Sequence, residues 1–138
     1  MPNKKVVHRY IDEVVNQGHY DRIPELLAPQ FLLHFPGYAS AVERASLPAF
    51  LGKIHNAFPD FHLHVHDLVA EGEHVVAIVA QTGTHQGEYL GAPATGKTFE
   101  VPMQIVYRIW DGKITDSHPL FDRLEILEQL GVWHRPRP

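Results

Sequence analysis

Residues 99–121 read FEVPMQIVYRIWDGKITDSHPLF. Apolar and polar side chains alternate through the first half. Met103, Ile105 and Tyr107 fall on one face, Gln104 and Arg108 on the other. A period of two predicts a long strand with one buried face. Asp111-Gly112 predicts a tight hairpin turn, because both types tolerate the positive φ such a turn needs. Residues 113–121 are then the returning strand. The same period recurs upstream. In 60–70, Phe61, Leu63 and Val65 alternate with His62, His64 and His66, and after a turn at 71–74 the segment 74–87 is rich in valine and isoleucine. Residues 88–98 carry the Gly and Pro of a loop.

The flanks have helical spacing. Val6, Val7, Tyr10, Ile11, Val14 and Val15 form one apolar stripe, with Asn3 as expected cap and Gly18 as left-handed stop. Residues 21–29 predict a short second helix ending by Pro29, and 31–35 a short strand. Ser46 is expected to cap a third helix with Pro48 in its first turn and Phe50, Ile54 and Phe58 on its buried face. Residues 122–130 predict a closing helix. Asp122 and Glu125 have the spacing of a capping box, and Gly131 is the expected stop. The tail 132–138 is expected to be loosely held beyond Trp133. Helices grouped on one face of an antiparallel sheet define an α+β domain. The expectation is a single domain over residues 1–138, with a core of about 5–131, in which the sheet curls around the helices and leaves a pocket open at one end.

Composition narrows the function. Of 138 residues, 44% are apolar and 20% charged, as in a water-soluble globular chain. No apolar run approaches a membrane span and the first ten residues lack the apolar stretch of a signal peptide, so no membrane partner and a cytoplasmic location are expected. The absence of cysteine rules out disulfides and thiolate chemistry. A net charge of −4 without a basic block argues against a nucleic-acid partner. Eleven histidines invite a metal reading. His62, His64 and His66 share a face, but a third ligand lies too far along a straight strand for one tetrahedral ion, so an outer-face stripe is preferred and no metal site is expected.

Six stretches, LLAPQF, FPDF, VAEGEHVV, TGTHQGEYLGAPATGKTFEV, YRIWDGKI and FDRLEILEQLG, occur in that order over about residues 5–131. Together they resemble the SnoaL-like polyketide cyclases of the nuclear transport factor 2-like superfamily. The resemblance implies an α+β cone, a curved antiparallel sheet wrapped around N-terminal helices, with a deep apolar pocket. It also implies a homodimer or higher homo-oligomer formed through the outer sheet face, a hydrophobic small-molecule ligand, and ring closure by intramolecular aldol condensation without a cofactor. Anchoring on the RI-DGKI segment places the family's proton-transfer aspartate at Pro119. The glutamine and histidine that position substrate fall on Met103 and Ile105, and an early-strand asparagine falls near Leu33, or His34 if the register slips. None of these can move a proton or make a useful hydrogen bond to an enolate, His34 excepted.

Other residues could substitute. Ser117 precedes Pro119 by two and shares its inward face. His118 should face outward unless Pro119 distorts the strand and turns it in, where its ordinary pKa would suit a base. The outward reading is preferred. His34 enters the pocket if Leu32 and His34 share the inward face, and is otherwise a satisfied core histidine. His34, His118 and Ser117 are therefore the candidate catalytic residues. Phe31, Tyr38, Phe50, Tyr89, Met103, Ile105, Tyr107, Pro119 and Phe121 are the candidate substrate contacts, and Trp110 is a further aromatic for core or pocket wall. His85 is expected to reach the pocket mouth or to tie down the adjacent loop. The leading function is a cyclase- or isomerase-type enzyme acting on a polyketide or other carbonyl compound. A noncatalytic hydrophobic-ligand module and a diverged hydroxylase or hydrolase remain alternatives.

Overall fold

The structure is a computed structural model that describes residues 2–136. Helix α1 (Pro2–Arg9) continues as a wider, π-type turn over Tyr10–Asn16. Gln17 N–H reaches back five residues to the Asp12 carbonyl at 3.1 Å, and Gly18 ends the segment at φ +74°. Asn3 lies inside α1 and donates to the Gly72 carbonyl instead of capping. A short α2 (Ile23–Leu26) gives way directly to β1 (Leu27–Leu33), so this strand starts four residues earlier than the sequence led us to expect. Pro29 disfavours helix at Ala28. A two-residue β2 (Val42–Glu43) precedes α3 (Leu47–Ala57). Ser46 makes no side-chain cap, because the tight turn Arg44–Ser46 runs helically into α3.

The remaining strands are β3 (His62–Glu71), β4 (His74–Thr84), β5 (Thr98–Trp110) and β6 (Lys113–Leu120). Asp111 and Gly112 have φ +51° and +77°, the expected hairpin turn. The sheet order is β2-β1-β6-β5-β4-β3. Every pair is antiparallel except β1–β6, which is parallel. Those two strands are far apart in sequence, so no hairpin dictates their sense. Bulges at His66 in β3 and at Thr115 in β6 shift the register and increase local twist and bend.

The apolar stripe of the first helical segment (Val7, Tyr10, Ile11, Val14, Val15) and the α3 face (Leu47, Phe50, Leu51) pack inside this curl. α4 (Arg123–Gln129) closes one side. Asp122 caps it by accepting from the Leu124 and Glu125 N–H groups at 3.0 and 3.3 Å. The return half of the box is not made, since Glu125 bonds Gln129 and Arg135. The tail is better held than expected: Arg135 pairs with Asp122 at 2.9 Å and lies near Glu125 and Glu128. Arg137 and Pro138 lie outside the described residues. Among the described residues no helix is long and apolar enough to cross a membrane.

The loop after β4 is stitched to the end of α3. Gln86 and Gly87 N–H both donate to the Ala57 carbonyl at 3.0 and 3.1 Å. A Cβ on Gly87 would lie 2.2 Å from the Asn56 carbonyl oxygen, so only glycine allows this approach. We expect Gly87→Ala to lower unfolding free energy by about 1–3 kcal/mol, as overpacking typically does. Urea denaturation measures it, and an unchanged midpoint would show that the loop yields freely.

Candidate functional site

The sheet and helices enclose a cavity of about 760 Å³, within the range of small-molecule sites. Its exposed lining residues, Gly37, Tyr38, Lys53, Asn56, Glu88 and Leu90, mark the mouth. Its interior is walled by buried side chains, mainly apolar, because the strands turn every second residue inward. Met103, Ile105 and Tyr107 of β5 and Ser117 and Pro119 of β6 all line it. Tyr38, Phe50, Tyr89 and Phe121 line it as well, three of them joined through Phe35: its ring centroid lies 5.5 Å from Tyr38, 4.9 Å from Phe50 and 5.6 Å from Phe121. The Arg123 guanidinium sits 5.8 Å over Phe35, with Nη2 donating to the Pro36 carbonyl.

Two candidate site residues, Phe31 and His34, do not face the cavity, and His118 takes the outward orientation that the sequence favours. Phe31 is core, not cavity wall: it is 1% exposed and packs at 6.4 Å from the Tyr10 ring. His34 does not line the cavity. In β1 the inward positions are Phe31 and Leu33, and Leu33 is the lining residue, so Leu32 and His34 lie on the other face. His118 also stays outside, exposed on the outer face. Pro119 causes no distortion. The register runs unbroken from Ser117↔Tyr107 through His118↔Val106 and Pro119↔Ile105 to Leu120↔Gln104. The reason lies in the edge that proline occupies. The Ser117 carbonyl points toward β1, where it accepts from His34 N–H at 2.9 Å. Two residues on, the Pro119 nitrogen points the same way, but β1 has already ended. No ladder bond is lost, so nothing forces a bulge. Trp110, 58% exposed at the end of β5, is also outside the wall.

His85 ties down the loop. It is fully buried, and its Nδ1 accepts from Thr95 N–H at 3.2 Å and lies 3.0 Å from the Thr95 hydroxyl. It is not among the cavity-lining residues.

Two polar points remain inside. At one end Ser117 faces Tyr107 across the β5–β6 pair, with Tyr10 edge-on to Tyr107 at 6.0 Å. Burial pushes the Tyr107 hydroxyl well above its ordinary pKa, Tyr10 adds to this, and a hydrogen bond with Ser117 offsets part of it. Burial raises Tyr10 likewise. Both therefore remain neutral phenols that donate hydrogen bonds and do not act as bases at neutral pH. At the other end lies Gln81, an inward residue of β4 that the sequence reading passed over. It is 3% exposed, lines the cavity, and its Nε2 has no hydrogen-bond partner. The signal for it was present: Val75, Ala77, Val79 and Gln81 share one phase of the strand, and only the last is polar. Gln81 pairs with Val101, six residues from Tyr107 on β5, roughly 20 Å of strand path. The cavity is thus an apolar chamber with a hydrogen-bonding group at each end.

A curved sheet closed over helices around a chamber of this kind defines the α+β cone of the nuclear transport factor 2-like fold. The solved structures agree. IdmH of Streptomyces antibioticus, a candidate polyketide cyclase, superposes with a TM-score of 0.84 at 29% identity, covering 94% of this chain and 99% of that one. A SnoaL-like candidate polyketide cyclase from Jannaschia sp. CCS1 gives 0.86 at 26% identity, covering 96% and 94%. The sequence model of the SnoaL-like polyketide cyclase family matches residues 5–130. The aklanonic acid methyl ester cyclase DnrD of Streptomyces peucetius is 32% identical over 126 residues, 90% of this chain and 77% of that protein. The chain belongs to the SnoaL-like polyketide cyclase family.

Proposed function

We propose that the cavity binds a largely apolar carbonyl compound of polyketide type, and that the chain promotes cyclase-type chemistry on it through hydrogen bonds to oxygen. The observation that carries this reading is the pairing of an apolar chamber with neutral donors inside it, Tyr107 and Ser117 at one end and the unpartnered Gln81 amide at the other. Donors aimed at a carbonyl oxygen stabilise the charge that grows there when the neighbouring carbon gives up its proton, here to water, since no base is among the buried lining residues. The two ends suit a ligand with oxygens at both extremities of a hydrophobic body. The relationship to the aklanonic acid methyl ester cyclases supports a substrate of that class.

Pro119 favours a second reading. It occupies the position that the resemblance assigns to the proton-transfer aspartate, and no carboxylate or imidazole lies among the buried lining residues. Among the described residues the only lining carboxylate, Glu88, is exposed at the mouth and accepts from Gly91 N–H at 3.0 Å. With one half of the acid–base pair absent, the chamber could serve to hold its ligand without turnover.

Aklanonic acid methyl ester decides between these readings when its binding is followed by quenching of protein fluorescence and its ring closure by chromatography. Saturable binding with accelerated closure is the expected result. Saturable binding without acceleration leaves the holding role. No binding of this ester or of smaller aromatic esters would refute both.

A further inference from the structure

We infer that His34, Asp116 and His118 form a binding site for a divalent transition-metal ion of the zinc class on the outer face of the sheet. This site is separate from the cavity and does not rest on the function proposed for it. The parallel pairing of β1 and β6 sets Leu32 beside Asp116 and Leu33 beside Ser117, so the next residue, His34, comes level with His118. Asp116 and His118 are two apart on one strand and share a face. The three side chains converge: their ligand atoms all lie within 4.8 Å of one another. His34 Nε2 is 3.3 Å from Asp116 Oδ1. The two imidazoles stack at 4.1 Å between centroids with planes 2° apart.

Two imidazoles and a carboxylate suit zinc and its first-row neighbours, and three protein ligands leave a coordination position for water. The carboxylate is already oriented by a further contact. Thr115 Oγ1 donates to Asp116 Oδ2 at 2.9 Å and leaves Oδ1 directed at the histidines. To share an ion, the rings must leave their parallel stack, because each nitrogen lone pair lies in its own ring plane. His118 is exposed and His34 about a third exposed, so they can pivot without breaking core contacts. The cation opposite in the sheet does not compete for the carboxylate. Arg108 lies opposite Asp116 in register but pairs with Glu73 at 2.9 Å. The histidine stripe that draws the eye in the sequence is the weaker candidate. His62 and His64 approach at 4.5 Å between ring centroids, but no third ligand joins them among the described residues.

The test uses the full chain without a polyhistidine tag, stripped of metal, titrated calorimetrically with Zn²⁺ alone near pH 7.5. Co²⁺ serves as the spectroscopic probe of ligand number. One equivalent should bind. His34→Ala and His118→Ala should each weaken binding by at least about 100-fold, and Thr115→Val, which removes the orienting contact together with a 3.3 Å contact to the Arg108 carbonyl, by about tenfold. His64→Ala should leave it unchanged. Circular dichroism checks that each variant is folded, and using two histidine variants keeps one misfolded protein from deciding the matter. The inference is overturned if no zinc binds, if both histidine variants bind like the native chain, or if His64→Ala is the change that abolishes binding.

Discussion

Pro119→Asp should raise ring-closure turnover by about 10²–10⁴-fold, the usual contribution of one positioned acid–base group. Pro119 lines the cavity on β6, two residues from Ser117 and directly across from Ile105. A carboxylate there would lie about 7 Å along the strand from the Ser117–Tyr107 donors. That spacing lets the donors hold a carbonyl oxygen while the carboxylate takes the proton from the adjacent carbon. The apolar wall would push its pKa up toward neutrality and make it a better proton acceptor. The substitution also restores a backbone N–H on an edge where β1 has ended, so it asks nothing of the sheet. Pro119→Asn, similar in shape but without a basic group, is the control and should bind the ester without the rise. Should Pro119→Asp fold and bind yet turn over no faster than the native chain, the donor arrangement is not that of a cyclase. The holding role would then be the better account.

The fold was legible because its signals are local and repeated. The alternation of Met103, Ile105 and Tyr107 with Gln104 and Arg108, the Asp111-Gly112 turn and the Asp122 cap each act over a few residues, and all appear as expected. Orientation in β1 was not legible. A strand of seven residues, LAPQFLL, carries apolar groups on both faces near its end, so composition cannot say whether Leu33 or His34 points inward. That choice is made by the pairing with β6, more than eighty residues away in sequence. The same distant pairing decides Pro119. Read alone, a proline in a strand argues for distortion. Read with the end of β1 known, it sits where no partner is waiting. The meeting of His34 with Asp116 and His118 has the same origin, since it depends on a parallel contact that no local pattern encodes. Gln81 was missed for another reason: it lies inside the strand expected over 74–87, and a single polar residue in a valine-rich strand draws no notice until the cavity shows it facing inward.

Gln81→Leu should make the protein more stable and its ligand binding weaker. Leucine nearly matches the glutamine in volume and removes a buried amide whose Nε2 has no partner. An unsatisfied buried donor costs about 1–3 kcal/mol, so the urea midpoint should rise. The same amide is the polar group at its end of the cavity, and a ligand oxygen there would lose its hydrogen bond. A loss of about 1–3 kcal/mol corresponds to roughly 5–150-fold weaker binding. Because Gln81 is about 14 Å of strand path from the rung that holds Pro119, its contact is equally strong before and during reaction. In the Pro119→Asp background the change should therefore raise KM and leave kcat nearly unaltered, the mark of an interaction with the body of the ligand. A fall in kcat would move the reacting carbonyl to the Gln81 end. A drop in stability with unchanged affinity would mean that the amide is satisfied by water and serves the fold alone. Opposite signs for stability and affinity are what a group kept for its ligand must give, since an unpartnered amide in an apolar wall does nothing for the folded chain by itself.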